Sequence, residues 1–110
     1  MEDLIDTAEE FLKSGEENLE KNRFNVAVSD FFKAIVIFCD YLIYKEIKIL
    51  PKNHVDRFSL LNTHFKEIYS KISNLFRTYT QSYNQKLNRT DGLNLKKYAY
   101  ELRDYIKNKR

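Results

Sequence analysis

The sequence has very few of the residues that make turns. It contains two Gly and one Pro among 110 residues, whereas an all-β chain needs turn residues every several positions. This scarcity excludes a sheet protein built from many short strands. It favours long helices that are joined by a few turns.

Cysteine is equally scarce, because Cys39 is the only one in the chain. A single Cys excludes an internal disulfide and does not assemble a zinc site. Since Cys39 lies inside a helical pattern, we expect a buried structural thiol and not a nucleophile. His54 and His64 have no His or Cys partner at metal-ligand spacing, and no glycine-rich phosphate loop is present. We therefore expect no metal and no cofactor.

Long apolar runs are also missing. The longest apolar-rich stretch, residues 31–44, is interrupted by Lys33 and Asp40, and it is shorter than the roughly 20 apolar residues that span a bilayer. The first residues are acidic, where a secretory signal is basic and then apolar. We therefore expect a cytoplasmic protein with no membrane partner.

Hydrophobic periodicity predicts a single helical domain over residues 1–110. Apolar residues recur every three or four positions, as they do on one face of a helix. In the second predicted helix they surround the helix on all sides, which is typical of the central helix of a bundle. The predicted fold is all-α, an up-and-down bundle of four long helices and one short helix. The predicted helices cover residues 3–21, 25–47, 54–62, 65–88 and 93–107.

Local signals set the boundaries of these helices. Pro51 ends the second helix, and Asn53 is a good N-cap for the short third helix. A break is predicted near Asn62 and Thr63, because both residue types favour helix ends over helix interiors. Residues 90–92, with the sequence Thr-Asp-Gly, predict the turn before the fifth helix.

Charge is divided unevenly along the chain. Residues 1–20 hold eight acidic residues against Lys13 alone, a balance of about −7, and since the whole chain carries +3, residues 21–110 carry about +10. This split fits a nucleic-acid face on the later helices, an acidic first helix that packs on a neighbouring molecule, or simply two solvated faces of opposite sign.

Aromatic residues are abundant, with eight Phe and eight Tyr. They exceed what a core of this size readily hides, so we expect some Tyr side chains of the last two helices at the surface. Tyr is also common in protein interfaces, and a homodimer is therefore predicted. The Tyr residues expected at the surface are Tyr79, Tyr83, Tyr98 and Tyr105.

Two segments resemble the small HEPN proteins. The sequence NRFNVAVSDFFKA at residues 22–34 resembles the second helix of that family, and LPKNH at residues 50–54 is similar to its Pro-x-x-His entry into a short third helix. The resemblance extends over about residues 5–106. It implies a HEPN-like bundle and a homodimer in which helices of two copies form a shared basic cleft.

The resemblance also implies where catalytic residues would lie. Active HEPN proteins are metal-independent RNases with an Arg and a His on one helix, where the His relays a proton and the Arg stabilises charge on phosphate. Arg57 and His64 match the spacing as Arg-x6-His. They fall on the short third helix and the break that follows it, however, whereas the family's pair belongs on the next long helix. At that later place, residues 79–89 contain no His.

Other roles are predicted for the residues at that place. Tyr79, Tyr83, Lys86 and Arg89 are candidates for holding phosphate or stacking a base. An alternative is a plain helix whose Tyr residues face the bundle and whose cations face water. His54 is expected to cap or pack at the start of the third helix.

Three functions are compatible with these observations. The leading one is a non-catalytic HEPN-like module that binds RNA, a nucleotide or a partner protein, within a toxin–antitoxin-type system. The alternative from another class is a metal-independent endoribonuclease that uses Arg57 and His64. The third is a pure protein-interaction module, for example an antitoxin-like partner of a nucleotidyltransferase.

Overall fold

The structure, a computed structural model, describes residues 2–109. These residues form five α-helices and no strand, which confirms the all-α prediction. The helices are α1 (Glu2–Glu20), α2 (Phe24–Ile47), α3 (His54–His64), α4 (Lys66–Gln81) and α5 (Arg89–Lys109).

The second helix is the centre of the bundle. Each of the other four helices contacts α2, and 13 of its 24 residues are buried. Phe31, Phe32 and Phe38 are among its fully buried side chains, so the predicted central position of this helix is confirmed. Cys39 is also fully buried, and burial raises the pKa of its thiol far above the ordinary value. It is a structural thiol, as predicted.

Two glycines let helices approach closely. A Cβ added to Gly15 of α1 would lie 2.6 Å from Cε1 of Phe31, so the aromatic ring of α2 occupies the space above this backbone. A Cβ on Gly92 of α5 would lie 2.8 Å from Cδ1 of Leu19. Both glycines are helical and have negative φ, so their role is close approach and not unusual backbone geometry.

The predicted break between α3 and α4 is present, but it lies at Phe65, two residues after Thr63, and not at Asn62 and Thr63. Thr63 is still within α3, where its Oγ1 donates a hydrogen bond to the carbonyl of Ser59 at 3.0 Å, a common arrangement for Thr inside a helix. Phe65 leaves the helical conformation at φ −140° and ψ 65°. Its ring is half-buried against the core, so the change of direction removes part of an aromatic side chain from water.

The predicted last residue of the fourth helix and the predicted first residue of the fifth helix were wrong. Helix α4 ends at Gln81 instead of residue 88, and α5 begins at Arg89 instead of residue 93. Asn88 and Asp91 explain the early start, because each side chain accepts a hydrogen bond from the other's backbone N–H, at 3.0 and 2.9 Å. This reciprocal cap places residues 90–92 in the first turn of α5 and not in the predicted turn.

The surface prediction for the Tyr side chains holds only in part. Tyr83 and Tyr105 are exposed, Tyr79 is half-buried, and Tyr98 is buried, contrary to the prediction. Burial of Tyr98 follows from its position on α5, one turn from the buried Leu95 and Leu102, on the face of the helix that packs into the core. None of the helices in residues 2–109 is both long and apolar enough to cross a membrane.

Candidate nucleic-acid interface

The structure gathers the predicted phosphate-binding residues near one end of the bundle. Tyr79 is in the last turns of α4, Tyr83 and Lys86 lie in the connection that follows, and Arg89 is the first residue of α5. The side chains of Tyr83, Lys86 and Arg89 are exposed. The premature end of α4 therefore places these residues on a turn instead of along a helix.

Asn25 of α2 holds this turn in place. Its Nδ2 donates hydrogen bonds to the carbonyls of Ser82 and Gln85, at 2.8 and 2.6 Å, and its Oδ1 accepts one from the N–H of Leu87 at 3.0 Å. Leu87 is buried in the core. One amide side chain thus satisfies three backbone groups of a turn that has no regular structure, so Lys86 is presented from a fixed backbone.

Arg89 joins this turn to the connection between α1 and α2. Its Nη2 donates to Oδ1 of Asn22, and its guanidinium lies over the ring of Phe24, 5.2 Å from the centroid. Both partners are neutral. No carboxylate in residues 2–109 lies within 4.0 Å of Arg89, so its positive charge is available to an anion.

Two further cations are brought to the same place. Asn22 has φ 60°, a left-handed conformation that Asn tolerates better than most residues. The N–H of Asn22 bonds to the carbonyl of Leu19 at 3.1 Å, and that of Arg23 bonds to the carbonyl of Asn18 at 2.8 Å, which ends α1 in a Schellman turn. Lys21 and Arg23 flank Asn22 and are both exposed.

These four cations, Lys21, Arg23, Lys86 and Arg89, are called the basic end below. The sequence predicted the turn at residues 22–23, but it gave no signal that this turn lies against residues 82–89. The missing information is the clamp by Asn25 and the bond from Arg89 to Asn22, which join residues about 60 positions apart in the chain.

The helix dipoles add to the potential at this end. Both α2 and α5 begin here, and the N-terminus of a helix carries roughly half a positive charge. No side chain caps the start of α2, whereas α5 is capped by Asn88 and Asp91. The acidic residues nearest in sequence to the four cations are Glu20 and Asp91, which keep their negative charges and offset part of the positive charge at this end. The arrangement suits an anion with several oxygens, such as phosphate.

A row of aromatic rings leads to the basic end. Tyr79 stacks on Phe32 of α2, with ring centroids 4.5 Å apart and an interplanar angle of 16°. Its hydroxyl forms a hydrogen bond of 2.7 Å with that of Tyr83, and burial and this bond raise the pKa of Tyr79 to about 12. Tyr83 is 73% exposed. Its ring is therefore oriented by Tyr79 and still open to a flat ligand.

The alternative catalytic pair is not assembled as a pair. Arg57 is buried, and its Nε and Nη2 donate to the two carboxylate oxygens of Asp40 at 2.7 and 2.9 Å. Its Nη1 bonds to Nδ1 of His54 at 2.8 Å. His64 is the last residue of α3 and is exposed. The two lie seven positions apart along one helix, a rise of about 10 Å.

His54 takes part in a polar network and does not cap α3. The N-cap is Asn53, as predicted, whose Oδ1 accepts from the N–H of Asp56 at 2.9 Å. The ring of His54 lies 5.4 Å from that of Phe76 and 6.2 Å from that of Phe58. Burial lowers the pKa of His54, and the charge of Arg57 lowers it further. Of the two roles expected for His54, packing at the start of α3 is confirmed, whereas the cap is Asn53.

Part of the charge split is compensated within the chain. Lys96 of α5 lies 3.4 Å from Glu16 of α1, and Arg103 lies 3.9 Å from Glu9. Burial and a hydrogen bond to Glu16 raise the pKa of Tyr100, which lies between these pairs, to about 12. The acidic first helix thus pairs with α5 of its own chain. The cations of the basic end lie outside these pairs.

An open trough separates α4 from α5. Its volume is about 670 Å³, and both helices pack on α2. Its lining combines aromatic and aliphatic side chains with charges of both signs: Phe65, Lys66, Glu67, Ile68, Lys71, Tyr98, Glu101, Leu102 and Tyr105.

Metal ligation has no candidate in the described part of the chain. No group of three His, Cys, Asp or Glu side chains within residues 2–109 converges as metal ligands would. Comparisons of this chain with protein-family models, with curated proteins and with solved structures found no match in any of the three.

Proposed function

We propose that this chain is a non-catalytic, HEPN-like helical module that binds RNA or a nucleotide through phosphate contacts at the basic end. The observation that carries the proposal is that four exposed cations and the N-termini of α2 and α5 meet at one end of the bundle. Phosphate groups bind such sites through charge and backbone N–H groups. Tyr83 adds a ring on which a base stacks.

The same geometry argues against the RNase alternative. An Arg that stabilises phosphate must reach the substrate. All three nitrogen atoms of the Arg57 guanidinium, however, already bond to Asp40 or His54. The exposed His64 has no such Arg beside it. We therefore favour binding over catalysis.

Fluorescence anisotropy tests the proposal with a labelled single-stranded RNA. An RNA of about 12 nucleotides is suitable, because this length is within the site sizes of proteins that bind single strands. The association constant should fall steeply with salt, because bound phosphates release counterions. Arg23→Gln and Lys86→Gln should each weaken binding and reduce the slope of log K against log salt by about 0.7. Tyr83→Ala should weaken RNA binding without changing this slope.

Lys13→Gln is the matched control. It removes one positive charge from an exposed position of α1, outside the basic end. Its binding curve should match that of the wild type. An absence of binding by the wild type at about 50 mM salt would refute the proposal. An equal loss of binding in Lys13→Gln would also refute it, because non-specific attraction to the whole surface would then explain the data.

The proposal includes a homodimer and a place in a toxin–antitoxin-type system beside a nucleotidyltransferase-type partner. The trough between α4 and α5 supports an interface, because it leaves Phe65 and Tyr105 partly open to solvent. Light scattering at moderate salt should give a mass near twice 13.3 kDa. A monomer at tens of micromolar, about the range where a weak specific interface is populated, would remove the dimer from the proposal.

A further inference from the structure

The third helix is fastened to the bundle by few groups. Only Arg57 and Leu61 of its 11 residues are buried. Leu61 enters the core, Phe58 and Leu60 pack against it partly buried, and Arg57 is the polar link to α2 through its two bonds to Asp40. The position of α3 against α2 therefore depends in part on the polar network around Arg57.

That network requires a neutral His54. An arginine side chain has only hydrogen-bond donors, so Nδ1 of His54 must be the acceptor of the 2.8 Å bond from Nη1 of Arg57. A proton on Nδ1 would replace this acceptor by a donor. It would also place a second positive charge beside the guanidinium.

The surroundings of His54 offer little to balance that second charge. From α2, Asp40 favours the charged ring, but both of its oxygens already accept from Arg57. From α3, Asp56 accepts from the N–H of Lys52, which lies in the preceding loop. From α4, the packed groups are Phe76 and, beyond Phe32, the neutral phenol of Tyr79. His54 is largely exposed, and the partial removal of its ring from water by the neighbouring aromatic rings also opposes the charged form.

We propose that protonation of His54 is a switch that releases α3 from α2. The proton comes from solvent and binds Nδ1, the bond from Arg57 breaks, and repulsion between the two cations moves the start of α3 away. Release uncovers Asp40 and Arg57, together with the aromatic rings of Phe58 and Phe76. The switch does not depend on the proposed RNA binding, because the basic end contains no residue of α3.

Hydrogen exchange measured by mass spectrometry tests this switch at about pH 7.5 and about pH 5.5, on either side of the ordinary histidine pKa. After correction for the intrinsic rate, residues 55–64 should lose protection by up to about tenfold, since a released His54 titrates near pH 6.5. Residues 31–43 of α2, which carry the core, should keep their protection. An equal loss in both segments, or no loss in either, would overturn the switch.

The chain's two histidines provide matched variants. His54→Gln keeps an oxygen acceptor for Arg57 but takes up no proton, so the pH-dependent loss should disappear. His64→Gln alters the exposed histidine of the same helix and should leave the loss intact. The opposite pattern would overturn the assignment to His54. NMR of the wild type gives a second test, because the methyl signals of Leu61 should titrate together with the ring of His54.

Discussion

Arg57 and Asp40 form a two-point ion pair between α3 and α2, with Nε–Oδ1 at 2.7 Å and Nη2–Oδ2 at 2.9 Å. Both side chains are largely withdrawn from water, with exposed fractions of 11% and 15%. Such a pair contributes less net stability than its geometry suggests, because both charges lose hydration. Removing one partner is costly, since the other charge is then left buried alone.

The first prediction concerns this asymmetry. Arg57→Met and Asp40→Leu should each lower the free energy of unfolding by about 3 kcal/mol, because each leaves one buried charge without its partner. The double variant should lose less than the sum of the two, since no unpaired charge remains. Urea denaturation of all four proteins measures this. Additive losses would show that the pair is not coupled.

A buried aromatic side chain of the core should contribute more to the free energy of unfolding than the Arg57–Asp40 ion pair does. Phe38→Ala should lower the free energy of unfolding by about 3 to 5 kcal/mol, because Phe38 is fully buried in α2 and its removal leaves a cavity. Val55→Ala is the control, as Val55 of α3 is 80% exposed, and it should change stability by less than about 0.5 kcal/mol. A loss below about 1 kcal/mol for Phe38→Ala would show that α2 does not carry the core.

Replacing each of the two glycines by Ala should have different effects on stability. Gly15→Ala should destabilise the fold by about 1 to 3 kcal/mol, because the new Cβ meets a ring of Phe31 that is locked in the core. Gly92→Ala should be nearly neutral. The new Cβ meets only the end of the flexible Leu19 side chain, and the gain of about 1 kcal/mol in helix propensity offsets the cost of moving that side chain. Thermal unfolding of both variants compares them. Equal effects would contradict the difference in packing.

Periodicity in the sequence was sufficient for the helices that pack on the core. The predicted boundaries of the first two helices are within one residue of Glu2–Glu20 and Phe24–Ile47, because apolar spacing reports directly on burial against a neighbour. It failed at residues 82–92, where a clamp from Asn25 and the mutual cap of Asn88 and Asp91 decide the backbone. A partner some 60 residues away leaves no trace in local spacing.

The candidate site divides in the same way. Tyr83, Lys86 and Arg89 were accessible to sequence reasoning because they are neighbours in the chain. Lys21 and Arg23 were not associated with them, since only the bond from Arg89 to Asn22 brings the two connections together. Arg57 was proposed as a catalytic residue from its spacing to His64 alone. That spacing does not reveal that the guanidinium of Arg57 is paired with Asp40 of another helix.

Stability should depend on pH through His54. Because its folded-state pKa lies below the ordinary value, the unfolded chain takes up the proton first as the pH falls. The contribution of His54 is therefore complete above about pH 6.5 and is lost as the pH falls toward the folded-state pKa. Urea midpoints at several pH values should show this decline in the wild type. In His54→Gln, the part of the decline that comes from the histidine should be absent. Identical pH profiles for the two proteins would contradict the prediction.

The last prediction is that the purified protein does not cleave RNA. Catalysis by the matched pair would need Arg57 beside a phosphate and His64 within reach of the attacking hydroxyl. Arg57 is instead buried against Asp40 and His54, while His64 is exposed at the far end of α3. Total RNA incubated with the protein without metal should stay intact on a gel, both at neutral pH and at about pH 5.5, where the proposed release of α3 uncovers Arg57. Cleavage that disappears in His64→Ala would establish the RNase alternative, and cleavage that persists in His64→Ala would indicate a contaminating nuclease.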